Sequence, residues 1–254
     1  MLRQARPQLG TLVEIGAASA DGTAQGTAAA AAAIDAAFAR IGRIEKALTR
    51  FDPRSEIGRF NDAAAGTAIE VGDDARIVLN AAAGLCAASD GLFDVSLGTG
   101  ADGWSCEGPL LRKRRAGVRL DLGGIAKGHA VDAAVEALRR AGIVAGWVNA
   151  GGDLRVFGAL AMPIDLRDEE LGGVRRFAVL QEGAFATSWV ACPPSASAAR
   201  AKAPARAASD VVARHASVAA GRCLWADALT KVVALAGDAQ HVLLRAHGAR
   251  AWLH

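Results

Sequence analysis

The chain contains no tyrosine, and only 5% of its 254 residues are aromatic. Its four cysteines are widely separated in sequence, which excludes the paired spacing of a zinc site or a thioredoxin-like motif. A disulfide framework is not expected in so long a chain, so we predict reduced, partly buried thiols. No run of about 18 apolar residues occurs, and we therefore expect no stable insertion into a membrane.

Charge of one sign is not in excess either. The 29 basic and 26 acidic residues give a net charge of +3, which does not favour nucleic acid as a partner. Two basic clusters, Arg112 to Arg115 and Arg200 to Arg214, are typical of solvated loops. The first eight residues contain no apolar segment of a secretory leader, so the sequence as written predicts a cytoplasmic chain or one without its native leader.

Alanine supplies about a quarter of the chain, so the 52% hydrophobic content overstates the apolar surface available for burial. Apolar residues at spacings of three and four predict helices over Thr27–Leu48, Asp73–Ser89, Ile125–Ala141 and Ala226–Ala236. Turn signals fill Thr49–Asn61, and Leu92–Gly103 is predicted to be irregular. Short strands are predicted at Thr11–Ile15, Val118–Leu122, Ala145–Asn149, Leu154–Gly158, Met162–Arg167, Phe177–Leu180, Ala184–Ser188, Ala216–Ala220, Val242–Arg245 and Ala249–Leu253.

The mixture of helices and strands without strict alternation predicts the α+β class. The length fits one domain, which we place over residues 1–254. Residues 193–214 are rich in Ala, Ser, Pro and Arg, and they predict a mobile low-complexity loop.

The segment from Asp121 to Asp132 combines a short strand, the pair Gly123-Gly124 and the start of a helix. Free N–H groups at a helix N-terminus bind anions, and Lys127 in the first turn opposes the helix dipole unless it meets an anion. The alternative is a tight packing turn with an exposed lysine. The residues alone leave both interpretations open.

Three further segments combine glycine or small residues with a charged side chain, and the first two have a structural alternative. Asn149 to Asp153 is explained by a β-turn. Asp227 is suited to the start of a helix, and it can equally present an oxygen to a hard cation, with Lys231 one helical turn further on the same side. Gly91 to Ser96 contains a glycine turn, an aromatic residue and an acid.

In this order and spacing, the segments resemble the ApbE family of FAD:protein FMN transferases. The most specific part is Asp-Leu-Gly-Gly-Ile-Ala-Lys-Gly, residues 121–128. The resemblance covers nearly the whole chain and rests on Leu9-Gly10-Thr11, Phe51 to Asn61, Phe93-Asp94, Asp121 to Asp132, Asn149 to Asp153, Ala186-Thr187-Ser188, Ser217-Val218 and Ala226 to Leu229. It implies an ApbE-like (T-fold-like) arrangement of mixed sheets and flanking helices around a central FAD/Mg cleft. By the same resemblance the protein is expected in the periplasm when a leader is present.

The resemblance also implies an activity, namely Mg²⁺-dependent transfer of FMN from FAD to a Ser or Thr hydroxyl of an acceptor protein, with release of AMP. Lys127, Asp227 and Lys231 are then expected to act in catalysis. Leu9, Phe51, Asn61, Leu92, Phe93, Asp94, Asp121 and Lys127 are expected to line the FAD pocket, with Phe51 packing against the flavin. Gly124, through its carbonyl, and Asp227 are the implied ligands of Mg²⁺.

The family pattern has threonine where this chain has Lys231, with Thr230 beside it. An ammonium contacts phosphate but cannot ligate Mg²⁺. Either Lys231 replaces the charge of one metal ion, or Thr230 supplies the third metal ligand.

Two other functions stay open at this stage. One is a hydrolase that splits FAD into FMN and AMP, with water in place of the acceptor hydroxyl. The other is a catalytically degenerate, FAD-binding paralogue. Lys231 and the Ala-rich segment 193–214, which stands in place of the family's His-Ile-Ile-Asp-Pro motif, suggest the latter.

Overall fold

The computed structural model describes residues 1–18, 23–167, 172–192 and 212–254. Its helices are α1 (Ala24–Leu48), α2 (Glu56–Asp62), α3 (Asp73–Ala88), α4 (Ala126–Arg140), α5 (Cys223–Ala236) and α6 (Val242–Ala246). Its strands are β1 (Leu2–Gln8), β2 (Thr11–Ala17), β3 (Ala68–Glu70), β4 (Trp104–Glu107), β5 (Leu110–Lys113), β6 (Gly146–Ala150), β7 (Asp153–Phe157), β8 (Met162–Arg167), β9 (Val174–Leu180), β10 (Gly183–Cys192), β11 (Val212–Ala220) and β12 (Arg250–Leu253).

The largest sheet runs in the order β1-β2-β6-β7-β10-β11-β12, and each neighbouring pair is antiparallel. A second sheet has the order β3-β5-β4, and β8 pairs with β9 as a hairpin. Together with the helices this confirms the α+β class. No helix in the described ranges is both long enough and apolar enough to cross a membrane.

The helices α1, α4 and α5 cover one face of the large sheet. Helix α5 packs on β10 and β11, and α4 packs between α5 and α1. The apolar side chains of α1 recur at spacings of three and four, as the predicted amphipathic helix requires, and they are buried: Ala30, Ala33, Ile34, Ala37, Phe38, Ile41, Ile44 and Leu48.

Helices α4 and α5 approach each other closely at Gly128. A Cβ atom at Gly128 would lie 2.3 Å from the backbone oxygen of Cys223 and 2.9 Å from Cβ of Asp227. The carboxylate of Asp132 on α4 accepts hydrogen bonds from the N–H groups of Cys223 (2.8 Å) and Leu224 (3.1 Å). Because the N-cap residue of α5 provides no side-chain cap, Asp132 satisfies two of its free N–H groups. These contacts fix the first turn of α5 against the first turns of α4.

The predicted long helices agree with the structure within three residues at each end, and most of the predicted strands are present. Residues 91–103 contain no helix or strand, as expected. Of the cysteines, Cys86, Cys106 and Cys223 are free thiols. Within the predicted loop at 193–214, residues 193–211 lie outside the described part of the chain.

Several local predictions were wrong. In the basic cluster predicted as a solvated loop, Lys113 belongs to β5 and is buried, with Nζ donating to the backbone oxygens of Phe60 and Asn61 at 3.2 and 2.9 Å. Strand β11 begins at Val212, inside the segment 193–214 predicted as a loop. Glu56–Asp62, inside the segment predicted as turns, forms α2, because the Ser55 hydroxyl accepts from the N–H of Gly58 and starts a helix. Val118–Leu122 is not a strand. Its Leu120 is instead bonded on both backbone groups by the Asn61 side chain, at 2.9 and 2.7 Å. Val242–Ala246 is a short helix, capped by His241 Nδ1 on the N–H of Leu243.

Candidate active site

Two lysines and two aspartates meet where α4 and α5 begin. We call Lys127, Asp153, Asp227 and Lys231 the charge cluster. Lys127 Nζ lies 3.2 Å from Asp153 Oδ2, and the Lys231 ammonium is bonded to Asp227 Oδ1. Both carboxylates are 1% exposed, whereas the lysine side chains are 30% and 23% exposed. The two ammoniums of the charge cluster are therefore accessible to solvent, and the two carboxylates are buried beneath them.

The carboxylate of Asp153 is the least satisfied member of the charge cluster. Burial, followed by the nearby charge of Asp227, raises the pKa of Asp153 to about 7, although Lys127 and Lys231 oppose the shift. Its Oδ2 atom has the ion-pair contact with Lys127 but no well-aligned hydrogen bond from any described residue. Burial lowers the pKa of Lys127, but the carboxylates of Asp153 and Asp227 more than offset this, so the net shift is upward.

Asp153→Asn is expected to stabilise the protein more at pH 8 than at pH 5. The folded state holds the Asp153 proton more tightly than the unfolded chain, so ionisation destabilises the fold progressively between about pH 4 and pH 7. The asparagine variant does not titrate in this range. Thermal unfolding of both proteins between pH 4 and pH 8 measures the difference, and a difference in Tm that stays constant or falls with rising pH would contradict the shift.

The Gly123-Gly124 turn leads directly into α4 beside the charge cluster. Asp121 Oδ1 accepts from the N–H of Gly123 at 2.9 Å, and Asp121 Oδ2 lies 2.9 Å from Arg50 Nε. A Cβ atom at Gly124 would lie 3.5 Å from Cε of Lys231 and 3.6 Å from the Phe93 ring. The N-cap residue of α4 provides no side-chain cap, but two of the first N–H groups are bonded, that of Ala126 to the Leu122 backbone oxygen at 2.8 Å and that of Gly128 to Asp227 Oδ2 at 3.1 Å. The groups that can meet an anion beside this turn are therefore chiefly the two lysine ammoniums.

Phe51 stands on the surface close to this turn. Its side chain is 80% exposed, and the guanidinium of Arg50 lies over its ring at 4.4 Å from the centroid. Because Arg50 also pairs with Asp121, the two contacts tie the Phe51 ring to the Asp121 turn. An exposed ring with one face covered by a cation offers its other face for stacking.

Other residues predicted to line an FAD pocket have structural partners. Asn61 is buried and holds the backbone of Leu120. Asp94 accepts from the N–H groups of Ser96 and Gly98, at 2.8 and 3.1 Å, and closes the turn that follows Phe93. Leu9, with its positive φ of 56°, donates its N–H to Glu45 at 2.8 Å, and Leu92 packs against the core.

The predicted magnesium ligands do not fit a protein-held metal ion in this arrangement. Asp227 Oδ1 carries the Lys231 ammonium, and Asp227 Oδ2 accepts from the N–H of Gly128 at 3.1 Å. The buried Thr230 hydroxyl contacts the Asp227 backbone oxygen at 2.6 Å and Ser188 Oγ at 2.8 Å, so it faces β10. Across the described ranges, no three His, Cys, Asp or Glu side chains group as a metal site.

Sequence reasoning missed Asp153 and Arg50 as members of the site. Asp153 stands in the Asn149–Asp153 segment that a β-turn explains, and the turn is present, with the N–H of Gly152 donating to Asn149 Oδ1 at 3.0 Å. The available signal was the acid that ends this segment.

The Cys223 thiol, beneath the cluster, is buried, and burial followed by the charge of Asp153 raises its pKa well above the usual range, so it is no nucleophile.

A large cavity of about 1170 Å³ lies elsewhere, on the opposite face of the large sheet. Thr187 lines this cavity, whereas Ser188, the next residue of β10, contacts Thr230 of α5. Successive side chains of a strand point to opposite faces, so the cavity and the charge cluster are separated by the sheet. The cavity contains none of the predicted site residues.

Comparison with known proteins decides the family. A model described as the ApbE family matches residues 9–110 and 101–189, which together cover more than half of the chain. The chain belongs to the ApbE family. No curated protein sequence matched it significantly.

Solved ApbE structures share the fold of this family member along nearly its whole length. The ApbE protein from Thermotoga maritima has 21% identity and a TM-score of 0.78, covering 99% of this chain and 93% of that chain. The flavin transferase ApbE from Vibrio cholerae has 18% identity and a TM-score of 0.76, with 99% and 92% covered. The flavinyl transferase ApbE from Pseudomonas stutzeri has 19% identity and a TM-score of 0.74, with 99% and 90% covered. At these identities the likeness shows the fold.

Proposed function

We propose that this ApbE-family chain transfers FMN from FAD to a Ser or Thr hydroxyl of an acceptor protein and releases AMP. The observation that carries the proposal is the charge cluster, whose two half-buried ammoniums lie beside the Gly123-Gly124 turn where α4 begins. Family membership and the titles of the neighbours, two of which are flavin or flavinyl transferases, support the same reaction.

The chemistry of phosphoryl transfer explains why such a cluster is useful. The acceptor oxygen bonds to the FMN phosphorus, the pyrophosphate P–O bond breaks, AMP leaves with the bridging oxygen, and the hydroxyl proton is released. Catalysis of this kind depends on alignment of the reacting groups and on neutralisation of phosphate charge. In our proposal Lys127 and Lys231 neutralise the pyrophosphate, while Asp153 and Asp227 fix the two ammoniums in place.

The flavin ring belongs, in this proposal, against Phe51. A diphosphate at the α4 N-terminus and an isoalloxazine ring on Phe51 would lie on either side of the Asp121–Arg50 ion pair. Leu92, Phe93 and Gly124 would border the ligand between them.

The family resemblance predicts that the reaction depends on Mg²⁺. We do not include this dependence in the proposal, and experiment is to decide it. Of the oxygen atoms expected to hold the ion, those of the Asp227 carboxylate are engaged with Lys231 and Gly128, and that of Thr230 with Ser188. Reactions with Mg²⁺ and with EDTA are therefore compared directly.

The test is mass spectrometry of an acceptor protein that carries a short flavinylation motif, incubated with the protein and FAD. We expect an FMN mass increment on the acceptor and an equal amount of AMP. An acceptor with alanine in place of its Ser or Thr is the control and should gain no mass. Release of AMP without acceptor would favour the hydrolase, and FAD binding without turnover under any divalent metal would favour the degenerate paralogue.

Phe51→Ala is expected to weaken FAD binding about threefold to tenfold. The change removes a stacking contact of about 0.5–1.5 kcal/mol with the flavin, and it should lower folding stability by no more than about 1 kcal/mol, because Phe51 is 80% exposed and loses only the contact with Arg50. Phe51→Trp should retain the affinity, and Phe51→Leu, which keeps an apolar side chain without a ring, should behave like alanine. Quenching of flavin fluorescence measures all four proteins. If all four proteins bound FAD with equal affinity, the flavin would not stack on Phe51.

A further inference from the structure

We propose that the Lys231 ammonium occupies, on the Asp227 carboxylate, the position of a divalent cation, so that this chain binds a nucleotide diphosphate without a protein-held metal ion. The inference rests on the proposed function for the identity of the ligand, FAD. The placement of the lysine itself stands on the geometry of α5 and its neighbours.

The ammonium is surrounded by the residues from which a metal site would be built. It is bonded to Asp227 Oδ1 and lies 2.9 Å from the Asp227 backbone oxygen. Gly124 faces the Lys231 side chain, since a Cβ atom at Gly124 would lie 3.5 Å from Lys231 Cε. The cation therefore sits between the carboxylate of α5 and the glycine turn that opens α4.

Lys231 is also placed to reach a ligand. An ammonium has three N–H donors, and its contacts with Asp227 O and Oδ1 use two of them. The side chain is 23% exposed, whereas Asp227 is 1% exposed. Among the described residues the ammonium has no further hydrogen-bond partner, so its third donor can meet a phosphate oxygen arriving from solvent, while the Asp227 carboxylate stays buried.

A divalent ion and this ammonium exclude one another. A metal ion on Asp227 Oδ1 would lie against the Lys231 charge, and like charges at such short range repel strongly in a buried setting. With both carboxylates ionised, the charge cluster is neutral by itself, so it contains no surplus negative charge that would attract a second cation. Lys231 and Lys127 instead provide two cations beside the turn for the two phosphates.

The decisive experiment measures metal and FAD binding separately. Mn²⁺ is titrated into the ligand-free protein and followed by electron paramagnetic resonance, and FAD binding is measured in EDTA and in millimolar Mg²⁺. We expect the wild type to show no stoichiometric Mn²⁺ site and to bind FAD with the same affinity, within about twofold, in both buffers.

Substitution of Lys231 by threonine should turn the ammonium position on Asp227 into a metal-binding site. Lys231→Thr removes the ammonium and adds a hydroxyl, so we expect a new Mn²⁺ site, and FAD binding at least tenfold weaker in EDTA that recovers with Mg²⁺. Lys231→Met removes the charge without adding an oxygen, and should lose FAD affinity in EDTA with less recovery. Lys46→Thr, at an exposed lysine in the last turn of α1, controls for the loss of one positive charge.

Two results would overturn the inference. One is a stoichiometric Mn²⁺ site in the wild type that Asp227→Asn abolishes, and the other is the absence of any Mn²⁺ site in folded Lys231→Thr and Lys231→Met proteins. A wild type that does not bind FAD would instead contradict the proposed function. The Mn²⁺ titration needs no flavin, so it still decides the role of Lys231 in that case.

Discussion

Asp227→Asn is expected to lower the rate of FMN transfer by at least about 100-fold, the size of effect seen when one charge-stabilising group is removed from an active site. The neutral amide can still accept from the N–H of Gly128, so the contact between α4 and α5 persists. It cannot hold the Lys231 ammonium as the carboxylate does, and the cation is then no longer fixed beside Gly124. Single-turnover flavinylation of the acceptor protein measures the loss.

A matched control separates this effect from a general loss of acidic charge. Asp73→Asn changes an aspartate whose side chain is 85% exposed, in the first turn of α3, and should transfer FMN at the wild-type rate. Circular dichroism establishes that both variants are folded. If Asp227→Asn transferred FMN as fast as Asp73→Asn, the charge cluster would have no role in the reaction.

The helices of the site could be predicted from the sequence because their signal is local. Apolar residues at spacings of three and four define α1, α4 and α5, and Gly237, with φ of 63°, ends α5 in the left-handed conformation that favours glycine. The order of the motifs also indicated that Gly124, Lys127 and Asp227 act together, and the structure brings these three residues to one place.

The state of Asp153 could not be predicted in the same way. Its neighbours in sequence form a turn, and nothing local distinguishes it from an exposed turn aspartate. Burial and then the charge of Asp227 raise its pKa, and Lys127 opposes the shift. Asp227 and Lys127 are distant in sequence and reach Asp153 through packing of α4 and α5 on the sheet. Electrostatic environment is a property of the packed structure, so sequence spacing does not carry it.

The choice between Thr230 and Lys231 also depended on packing. Residues three and four positions after Asp227 lie on the same side of a helix, and the sequence allowed either to join the site. Contact with Ser188 of β10 turns the Thr230 hydroxyl toward the sheet, and Lys231 then covers the exposed side of the carboxylate. Which of the two residues joins the site therefore depends on how α5 packs on β10. This packing brings together residues more than forty positions apart in sequence.

Gly128→Ala is expected to destabilise the protein by about 3 kcal/mol, at the upper end of the cost of overpacking a tight interior. The added Cβ would lie 2.3 Å from the backbone oxygen of Cys223, a distance that real Cβ contacts do not reach. Because backbone atoms cannot rotate away as a side chain can, α4 and α5 must separate. Chemical denaturation measures the loss, and separation of the helices should also reduce FMN transfer by moving Lys127 away from Asp227.

Gly84→Ala is the matched control, since Gly84 is an exposed glycine within α3 whose Cβ would meet no atom within 4 Å. There the same change should stabilise the fold by about 0.5–1 kcal/mol, because alanine loses less backbone freedom than glycine on forming a helix. Opposite signs for the two substitutions would establish that the close approach of α4 and α5, rather than helix propensity, makes glycine necessary at position 128. Destabilisation of less than 1 kcal/mol by Gly128→Ala would mean that the two helices yield at this contact, and the charge cluster would then lack the rigid support that its geometry requires.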